Sequence, residues 1–212
     1  MPTTRERILE AALRLFAEQG FKATTVKQIE LAAGLSAGAG GLYRHFSSKQ
    51  ELLDAVVAWQ VTANRELVEQ LSGTGPGDGR EADTEGVPGP GLHQELVSVA
   101  RSGLARLESE AGLTRLLLRD LKDHPRALAL AGEGDIEPVL GSLAGYLAGR
   151  DTAGRVDPTA LAVIVAGATT SFWLLRDIFG THPAGIDADE FIDALADLVE
   201  LAVTGRADPD GR

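Results

Sequence analysis

The chain has 212 residues, a formal net charge of −11 and no cysteine. That length allows one domain or two small ones, and the lack of cysteine excludes disulfides and cysteine-based metal or nucleophile chemistry. The N-terminus has no apolar signal-peptide core. The uncharged stretch from Thr159 to Leu175 is shorter than the roughly 20 residues that a membrane span needs. We therefore predict a cytoplasmic protein with no membrane partner.

The charges are unevenly distributed along the chain. Residues 1–50 hold seven basic and four acidic residues, a balance of +3, whereas the remainder holds 13 basic and 27 acidic residues, a balance of −14. Binding to DNA neutralises phosphates with Lys and Arg, so the overall acidity alone argues against a DNA-binding protein. The split instead indicates an N-terminal end that faces nucleic acid and a remainder that faces solvent.

Capping signals predict two helices in the first 33 residues. Thr3 and Glu6 have the spacing of a capping box, and Gly20 can end the first helix in a left-handed conformation. Thr25 and Gln28 repeat the capping-box spacing and start a second, much shorter helix. Apolar residues at helical spacing give each helix one buried face.

A tight turn and two further helices follow. Gly34, Leu35 and Ser36 form the turn, and the pattern predicts a third helix over 37–43 and a long fourth helix over 49–71. This order is that of a helix-turn-helix, in which the second helix of the motif enters the major groove of DNA.

The segment 72–91 interrupts the helical pattern with seven glycines and three prolines, which predicts a flexible linker and a domain boundary. We expect a helix-turn-helix domain at 1–47, a connecting helix at 48–71, and a second helical domain at 92–212. Its predicted helices span about 92–109, 111–122, 125–131, 135–149, 157–179 and 187–204, with Asp135, Asp157 and Asp187 as candidate N-caps. No segment alternates as a strand does, so the predicted fold class is all-α.

Hydroxyl groups at helix N-termini suit phosphate, because unpaired N–H groups and the helix dipole favour an anion there. Basic and aromatic donors beyond the turn add to this set. For each residue alone, capping, packing or solvation is an equally good explanation. The candidate DNA contacts are Thr24, Thr25, Ser36, Tyr43, His45 and Lys49.

Residues 5–57 resemble the DNA-binding domain of the tetracycline-repressor (TetR) family. The matching elements are Gly20-Phe21, Thr24-Thr25-Val26, Ile29, Ala33-Gly34-Leu35-Ser36, Leu42-Tyr43-Arg44-His45-Phe46, and Ser48-Lys49 with Leu52-Leu53. The resemblance implies a ligand-responsive transcriptional regulator, most often a repressor. Such a protein binds a pseudo-palindromic operator in double-stranded DNA as a homodimer and responds to a small-molecule effector.

The resemblance also implies roles for individual segments and residues. The domain at 92–212 would bind the ligand and dimerise through its last two helices, while the helix at 48–71 connects it to the DNA-binding domain. Ser36 and Ala37 would face base edges. The remaining matched positions would contact phosphates, and they are Thr24, Thr25, Tyr43, His45 and Lys49.

The third predicted helix departs from the family pattern. Six residues separate Ser36 from Tyr43, where the family has about four, and three of the six are glycines. Each glycine costs about 1 kcal/mol relative to alanine inside a helix. We therefore expect a loose helix with few base-reading side chains. Phosphate contacts should dominate, with Arg44 and either Lys22 or Lys27 extending the reach.

A second departure is Glu30, which replaces the small alanine that the family often has beside the turn. We expect this carboxylate to point to solvent or to pair with Lys27 or Arg44.

The second domain carries candidates for an interface and a pocket. Its helix over 157–179 is apolar nearly all round, which indicates burial on more than one side. An intrachain core explains this equally well, and the resemblance favours a dimer interface formed by Val163, Ala166, Gly167, Phe191, Leu195 and Leu198. Aromatic residues with a few polar groups suit an effector pocket, although plain core is an alternative for Tyr146, Phe172, Trp173 and Arg176.

No enzyme signature is present: there is no P-loop, dinucleotide fingerprint, zinc-protease motif or nucleophile elbow. The four histidines are scattered, and no pair has metal-ligand spacing. We predict no catalytic residue, metal or cofactor. The competing functions are a helical protein-interaction adaptor and an enzyme-like domain that carries a helix-turn-helix module.

Overall fold

The computed structural model describes residues 2–38, 40–72 and 91–205, without the side chains of 63–72. This part of the chain forms helices and turns and no strand, which confirms the all-α class. Most of the predicted linker lies outside the described residues. The helices are α1 (Thr4–Gln19), α2 (Val26–Ala32), α3 (Lys49–Ser72), α4 (Leu92–Ser109), α5 (Ala111–Arg119), α6 (Pro125–Ala131), α7 (Glu137–Ala148), α8 (Pro158–Phe179) and α9 (Ala188–Thr204).

Four of the described helices start at predicted capping residues. Both predicted capping boxes form at α1 and α2, where the N-cap threonine and the third helical residue satisfy each other's backbone N–H groups. Asp157 and Asp187 cap α8 and α9 with their carboxylates. The prediction for Asp135 is wrong, because this residue lies inside a continuous helical stretch and not at the start of a helix.

That stretch runs from α6 through a π-helical turn, Gly132–Ile136, into α7. The turn packs against α3, and a Cβ atom on Gly134 would lie 2.5 Å from a methyl carbon of Val61. Real Cβ atoms do not approach so closely. Glycine therefore allows the backbone of this turn to contact the side of α3.

The described chain divides into two compact units. The first unit comprises Met1–Ser72 and Glu110–Glu137, and the second comprises Gly73–Ser109 and Pro138–Arg212. This division differs from the predicted one, which placed 110–137 with the C-terminal domain. The predicted boundary followed the order of the sequence. In the structure, the segment 110–137 packs against helices that are far from it in the sequence.

The core of the first unit explains why 110–137 belongs to it. The seven-residue α2 buries only Ile29 and Glu30, so the N-terminal helices supply little core by themselves. Apolar residues of α5 and α6 complete it by packing against α1 and α3. The central side chains are Ile8, Leu9, Phe16, Leu42, Leu52, Leu53, Leu113, Leu116 and Leu121, each almost fully buried.

The end of α5 also fastens the turn between α1 and α2. The Arg119 guanidinium donates hydrogen bonds to the carbonyl oxygens of Phe16 (2.6 Å) and Ala17 (2.8 Å) at the end of α1. The next residue, Asp120, accepts a hydrogen bond from the Phe21 backbone at 3.3 Å. A cation at a helix C-terminus satisfies carbonyl groups that have no partner inside the helix. These bonds fix the entry to α2.

The second unit has a core of its own between α4, α8 and α9. Leu96, Ala100 and Leu104 form the buried face of α4. The apolar residues that pack with them come from α8 and α9, and they include Leu161, Val165, Phe172, Trp173, Ile192, Leu195, Val199 and Val203.

Candidate nucleic-acid interface

Thr24 and Lys49 tie together the segments around the α1–α2 turn. The Thr24 side chain is buried, and its hydroxyl donates a 2.7 Å hydrogen bond to the carbonyl oxygen of Gly20. The Lys49 ammonium donates to the carbonyl oxygens of Phe21 (2.6 Å) and Thr24 (2.7 Å) and lies 4.3 Å from the centre of the Phe21 ring. Burial lowers the pKa of Lys49. The structure thus gives both residues a role inside the first unit, and the Thr24 hydroxyl does not reach the surface.

The predicted third helix is wrong. Residues 37, 38 and 40 form turns and bends, and only a single 3₁₀ turn, Leu42–Arg44, follows. Gly38 and Gly40 have φ angles of +76° and +69°, which lie in the left-handed region and cannot continue a right-handed helix. We call residues 36–41 the glycine loop, within which Ala39 is not described.

Glu30 anchors this loop. The prediction that its carboxylate points to solvent or pairs with Lys27 or Arg44 is wrong. Its side chain is 1% exposed, and its two carboxylate oxygens accept hydrogen bonds from the backbone N–H groups of Gly38 (2.7 Å) and Leu42 (3.1 Å). These two bonds, with a further contribution from the Gly41 backbone, lower the pKa of Glu30. Sequence reasoning noticed this residue but missed its partners, because they are backbone groups of a glycine-rich segment.

The 3₁₀ turn after the loop is held by two buried side chains, Leu42 and Phe46. The N–H groups of His45 and Phe46 donate to the carbonyl oxygen of Leu42 at 2.9 and 3.1 Å. The side chains between these anchors, Tyr43, Arg44 and His45, are all exposed. A rigid turn therefore presents one aromatic, one basic and one imidazole side chain to solvent.

The remaining candidate contacts differ in accessibility. Ser36 and Ala37 are exposed at the start of the glycine loop, and the exposed Thr25 caps α2 by accepting from the Gln28 N–H group. Lys22 extends into solvent with its ammonium 3.5 Å from a carboxylate oxygen of Asp123. Except for Thr24 and Lys49, the predicted contact residues thus lie on exposed positions of the segment from 22 to 45.

The four predicted pocket residues do not form one site. Phe172 stacks on Phe191 and His182, with ring centres 4.2 and 4.9 Å apart. Arg176 lies over the Phe172 ring and 3.4 Å from Glu108. Trp173 is buried in the core of the second unit. These contacts are those of core and surface packing, so only Tyr146 remains as a pocket residue.

Tyr146 borders a small apolar cavity of about 20 Å³ inside the second unit. The cavity has room for about one water molecule. The Tyr146 hydroxyl is buried and has no hydrogen-bond partner among the described residues. Burial raises the pKa of this hydroxyl, against a lowering by Arg150, and Glu95 raises it further. The other lining residues are Leu96, Val99, Ala100, Leu143, Leu147, Val165, Leu195, Ala196 and Val199.

Helices α8 and α9 each expose a stripe of mostly apolar residues, on which three of the six predicted interface residues lie. Val163, Gly167 and Leu198 are exposed, the last at 66%. Leu195 is instead buried within its own chain, because it faces the cavity and α4. Phe191 is half-buried by its stacking on Phe172, and Ala166 is half-buried as well. The stripes gain Ile164, Ser171 and Ile178 on α8, and Ala194 and Leu201 on α9.

By length and composition, α8 could also cross a membrane, but a core helix of a soluble protein passes the same test. Its Asp157 cap and its packing against α4 and α9 are features of a core helix.

The first unit presents a polar, partly basic surface that runs from α2 through the glycine loop to the turn at Leu42–Arg44. Residues 8–56 match the family model for bacterial regulatory proteins of the tetR family. The chain resembles the uncharacterised HTH-type transcriptional regulator YerO of Bacillus subtilis, with 36% identity over 80 residues, covering 36% of this chain and 27% of YerO. It also resembles the HTH-type transcriptional repressor KstR2 of Mycobacterium tuberculosis, with 39% identity over 72 residues, covering 32% and 35%.

The chain thus spans roughly a quarter to a third of the length of these two relatives. Solved structures match nearly all of it. A structure from Mesorhizobium loti, assigned to the TetR family, has a TM-score of 0.70 and 22% identity, covering 94% of this chain and 96% of that one. NemR of Escherichia coli has a TM-score of 0.66 and 16% identity, covering 97% and 100%. At these identities the structures show the fold alone. Residues 8–56 are therefore similar to bacterial regulatory proteins of the tetR family, and the chain as a whole shares its fold with these solved structures.

Proposed function

We propose that the chain is a DNA-binding transcriptional repressor that acts in the cytoplasm and has no catalytic activity. The observation that carries this proposal is the match of residues 8–56 to the tetR-family model, together with the exposed segment from Thr25 to His45 in the same unit. Tyr43, Arg44 and His45 are exposed on one turn and would contact phosphates, while the exposed Ser36 and Ala37 would face base edges. The repressor KstR2 among the relatives supports this direction of control.

The exposed stripes on α8 and α9 support a homodimer. The exposed residues Val163, Gly167, Ser171 and Ile178 of α8 are four, four and seven positions apart, and Ala194, Leu198 and Leu201 of α9 are four and three apart. Each stripe therefore lies along one side of its helix. A Cβ atom on Gly167 would meet nothing within 4 Å in the single chain, which leaves room for a close approach by a partner helix. A four-helix interface of α8 and α9 with their counterparts would cover both stripes. Two such modules would bind successive major grooves of a pseudo-palindromic operator, about 34–36 Å apart.

The cavity beside Tyr146 supports an apolar effector. The surface that lines it is entirely apolar, and no hydroxyl or charged group of the described residues faces it. At about 20 Å³ the cavity has to widen before it can hold an effector. Binding would therefore favour a different arrangement of α4, α7, α8 and α9, and the effector acts only through its differential affinity for the two states.

The chain path provides a physical route from that cavity to the DNA-binding surface. Within the described residues the backbone passes between the two units at 109–110 and at 137–138. Between these two crossings lies the segment whose Arg119 and Asp120 hold the α1–α2 turn. A rearrangement of α4 and α7 would pull on both ends of this segment. Coupling between effector and DNA is then reciprocal, as linkage requires.

The experiment that tests the proposed function starts from a random duplex library. The full-length chain is used to select bound duplexes over several rounds, and the enriched sequence is compared with the DNA flanking its own gene by gel shift. We expect one enriched pseudo-palindrome with two half-sites about one helical turn apart. Failure to enrich any sequence would contradict a sequence-specific regulator, and enrichment of a single half-site would contradict the dimer.

A further inference from the structure

The first unit contains a buried carboxylate, that of Glu30, which accepts hydrogen bonds from backbone groups of the segment that faces DNA in the proposed function. We infer, on the basis of that proposed function, that Glu30 is a positioning residue for sequence recognition. It holds the glycine loop and the turn at Leu42–Arg44 in place of a recognition helix, and so determines how selectively the protein reads DNA.

The side chain of Glu30 accepts hydrogen bonds from two backbone groups, one inside the glycine loop and one just after it. One carboxylate oxygen of Glu30 accepts from Gly38 near the start of the loop at 2.7 Å, and the other accepts from Leu42 just after its end at 3.1 Å. The backbone of Gly41 adds a third contribution. A carboxylate suits this task because it has two oxygens with about four acceptor positions and no donor. Charge-assisted bonds of this kind are about twice as strong as neutral ones.

The loop needs such an anchor because it has no helical hydrogen-bond ladder. The left-handed angles of Gly38 and Gly40 turn the backbone out of the helical path. A helical run of i to i−4 bonds cannot continue past such a residue, and the Gly38 N–H donates to the Glu30 carboxylate instead. Glu30 is fixed in turn by α2, whose capping box and buried Ile29 hold its backbone. The anchor thus connects a rigid helix to a segment that is flexible by composition.

Anchoring of Leu42 extends to the exposed residues that follow it. Leu42 is fully buried and starts the 3₁₀ turn, and its carbonyl oxygen accepts from His45 and Phe46. A shift of the Leu42 backbone would therefore move Tyr43, Arg44 and His45 together. Residues outside the loop, such as Lys22 and Thr25, would keep their positions. The bond to Gly38 likewise positions Ser36 and Ala37, which face base edges in the proposed function. Because base contacts specify and the phosphate contacts outside the loop are kept, losing the anchor should reduce selectivity more than general affinity for DNA.

Glu30→Gln is the sharpest substitution for testing this inference. Glutamine has nearly the same shape, but its amide has one oxygen and one donor group, so one of the two loop N–H groups would face another donor. Glu10→Gln is the matched control, because it removes the same charge from an exposed position of α1 in the same unit. Gly40→Ala provides an independent variant, since it strains the loop at a left-handed angle without touching Glu30 and without a clash.

The experiment measures dissociation constants of the full-length chain for two duplexes at one salt concentration. The first duplex is selected by the wild-type chain from a random library, and the second is the same sequence scrambled. The ratio of the two constants is the selectivity. We expect Glu30→Gln and Gly40→Ala to lower the selectivity about tenfold or more, while affinity for the scrambled duplex stays within about threefold and Glu10→Gln behaves as the wild type.

A purely structural role would have a different result. If Glu30 only stabilised the fold, Glu30→Gln would weaken binding to both duplexes in parallel with its folded fraction, and the unchanged selectivity would overturn the inference. Should Glu30→Gln fail to fold, the selectivity of Gly40→Ala decides in the same way: a tenfold fall supports the inference and an unchanged ratio overturns it. A wild-type chain that selects no duplex would overturn the proposed function itself, and the inference with it.

Discussion

The ammonium nitrogen of Lys49 lies 2.6 Å from the carbonyl oxygen of Phe21, at the start of α3 and in the α1–α2 turn respectively. A second bond, to the carbonyl oxygen of Thr24, and the face of the Phe21 ring surround the same ammonium group. This lysine therefore belongs to the internal structure of the first unit, whereas Lys22 extends into solvent. Substitutions of these two lysines can therefore distinguish an effect on folding stability from an effect on phosphate binding.

We predict that Lys49→Ala lowers the free energy of unfolding by about 1–3 kcal/mol, because two carbonyl groups lose a charged donor. Lys22→Ala should change it by less than about 0.5 kcal/mol, since its ion pair is exposed. For DNA binding we expect Lys22→Ala to have the larger effect. If Lys22 contacts a phosphate, this substitution should reduce the slope of log affinity against log salt concentration by about one. Urea unfolding and binding at several salt concentrations measure both effects. Equal stability of the two variants would contradict the internal role of Lys49.

The exposed stripe of α9 leads to a prediction about assembly. Leu198→Glu should raise the dimer dissociation constant about 100-fold or more, because an unpaired charge would be buried at the interface. Leu118→Glu is a matched control, since Leu118 is also an exposed leucine but lies on α5 in the first unit. Sedimentation equilibrium of the two variants and the wild type measures the change. A Leu198→Glu chain that remains dimeric would place the interface elsewhere.

The buried Tyr146 hydroxyl gives a prediction about the cavity. Removing an unpaired buried polar group is neutral or favourable, so Tyr146→Phe should unfold at equal or higher free energy, by up to about 1 kcal/mol. The other tyrosine of the chain, Tyr43, is exposed, and Tyr43→Phe should leave stability unchanged. Urea unfolding compares the two. A loss of more than about 1 kcal/mol in Tyr146→Phe would mean that the hydroxyl has a stabilising partner.

Acid unfolding should reveal the buried carboxylate of Glu30. Its pKa in the folded state is lowered from 4.5 by hydrogen bonds from Gly38 and Leu42. The unfolded state therefore takes up a proton first as the pH falls, so the stabilisation is complete above pH 4.5 and is lost as the pH falls through the folded-state pKa. We predict that the gap in unfolding free energy between the wild type and Glu30→Gln is constant near neutral pH and narrows below pH 4.5. Unfolding curves at several pH values measure the gap, and parallel curves down to acid pH would contradict this account.

Local signals in the sequence predicted the helices well. The capping boxes at Thr3 and Thr25 and the caps at Asp157 and Asp187 depend on residues three positions apart, so sequence spacing reveals them directly. The failure at 37–43 is also local in origin. Composition showed that the glycines weaken a helix, but it could not show that Gly38 and Gly40 adopt left-handed angles.

Long-range contacts were not predictable in this way. Arg119 lies about a hundred positions from the α1 carbonyl groups that it binds, and no spacing rule joins them. The apolar periodicity of α9 predicted a wide buried face but not which part packs inside its own chain, so Leu195 and Leu198 received the same role. Glu30 stood out because it departs from the family pattern. Its role could not be predicted from sequence, because its hydrogen-bond donors are backbone groups of the folded glycine loop.

The central claim is that the first unit of a homodimer binds a specific duplex. Fluorescence anisotropy with the selected duplex and its scrambled version, over a series of salt concentrations, tests it most directly. We predict two chains per selected duplex, tighter binding to that duplex than to the scrambled one, and a linear fall of log affinity with log salt, with a slope of about −0.9 for each phosphate contact. Equal affinity for both duplexes, or affinity that does not depend on salt, would contradict the account.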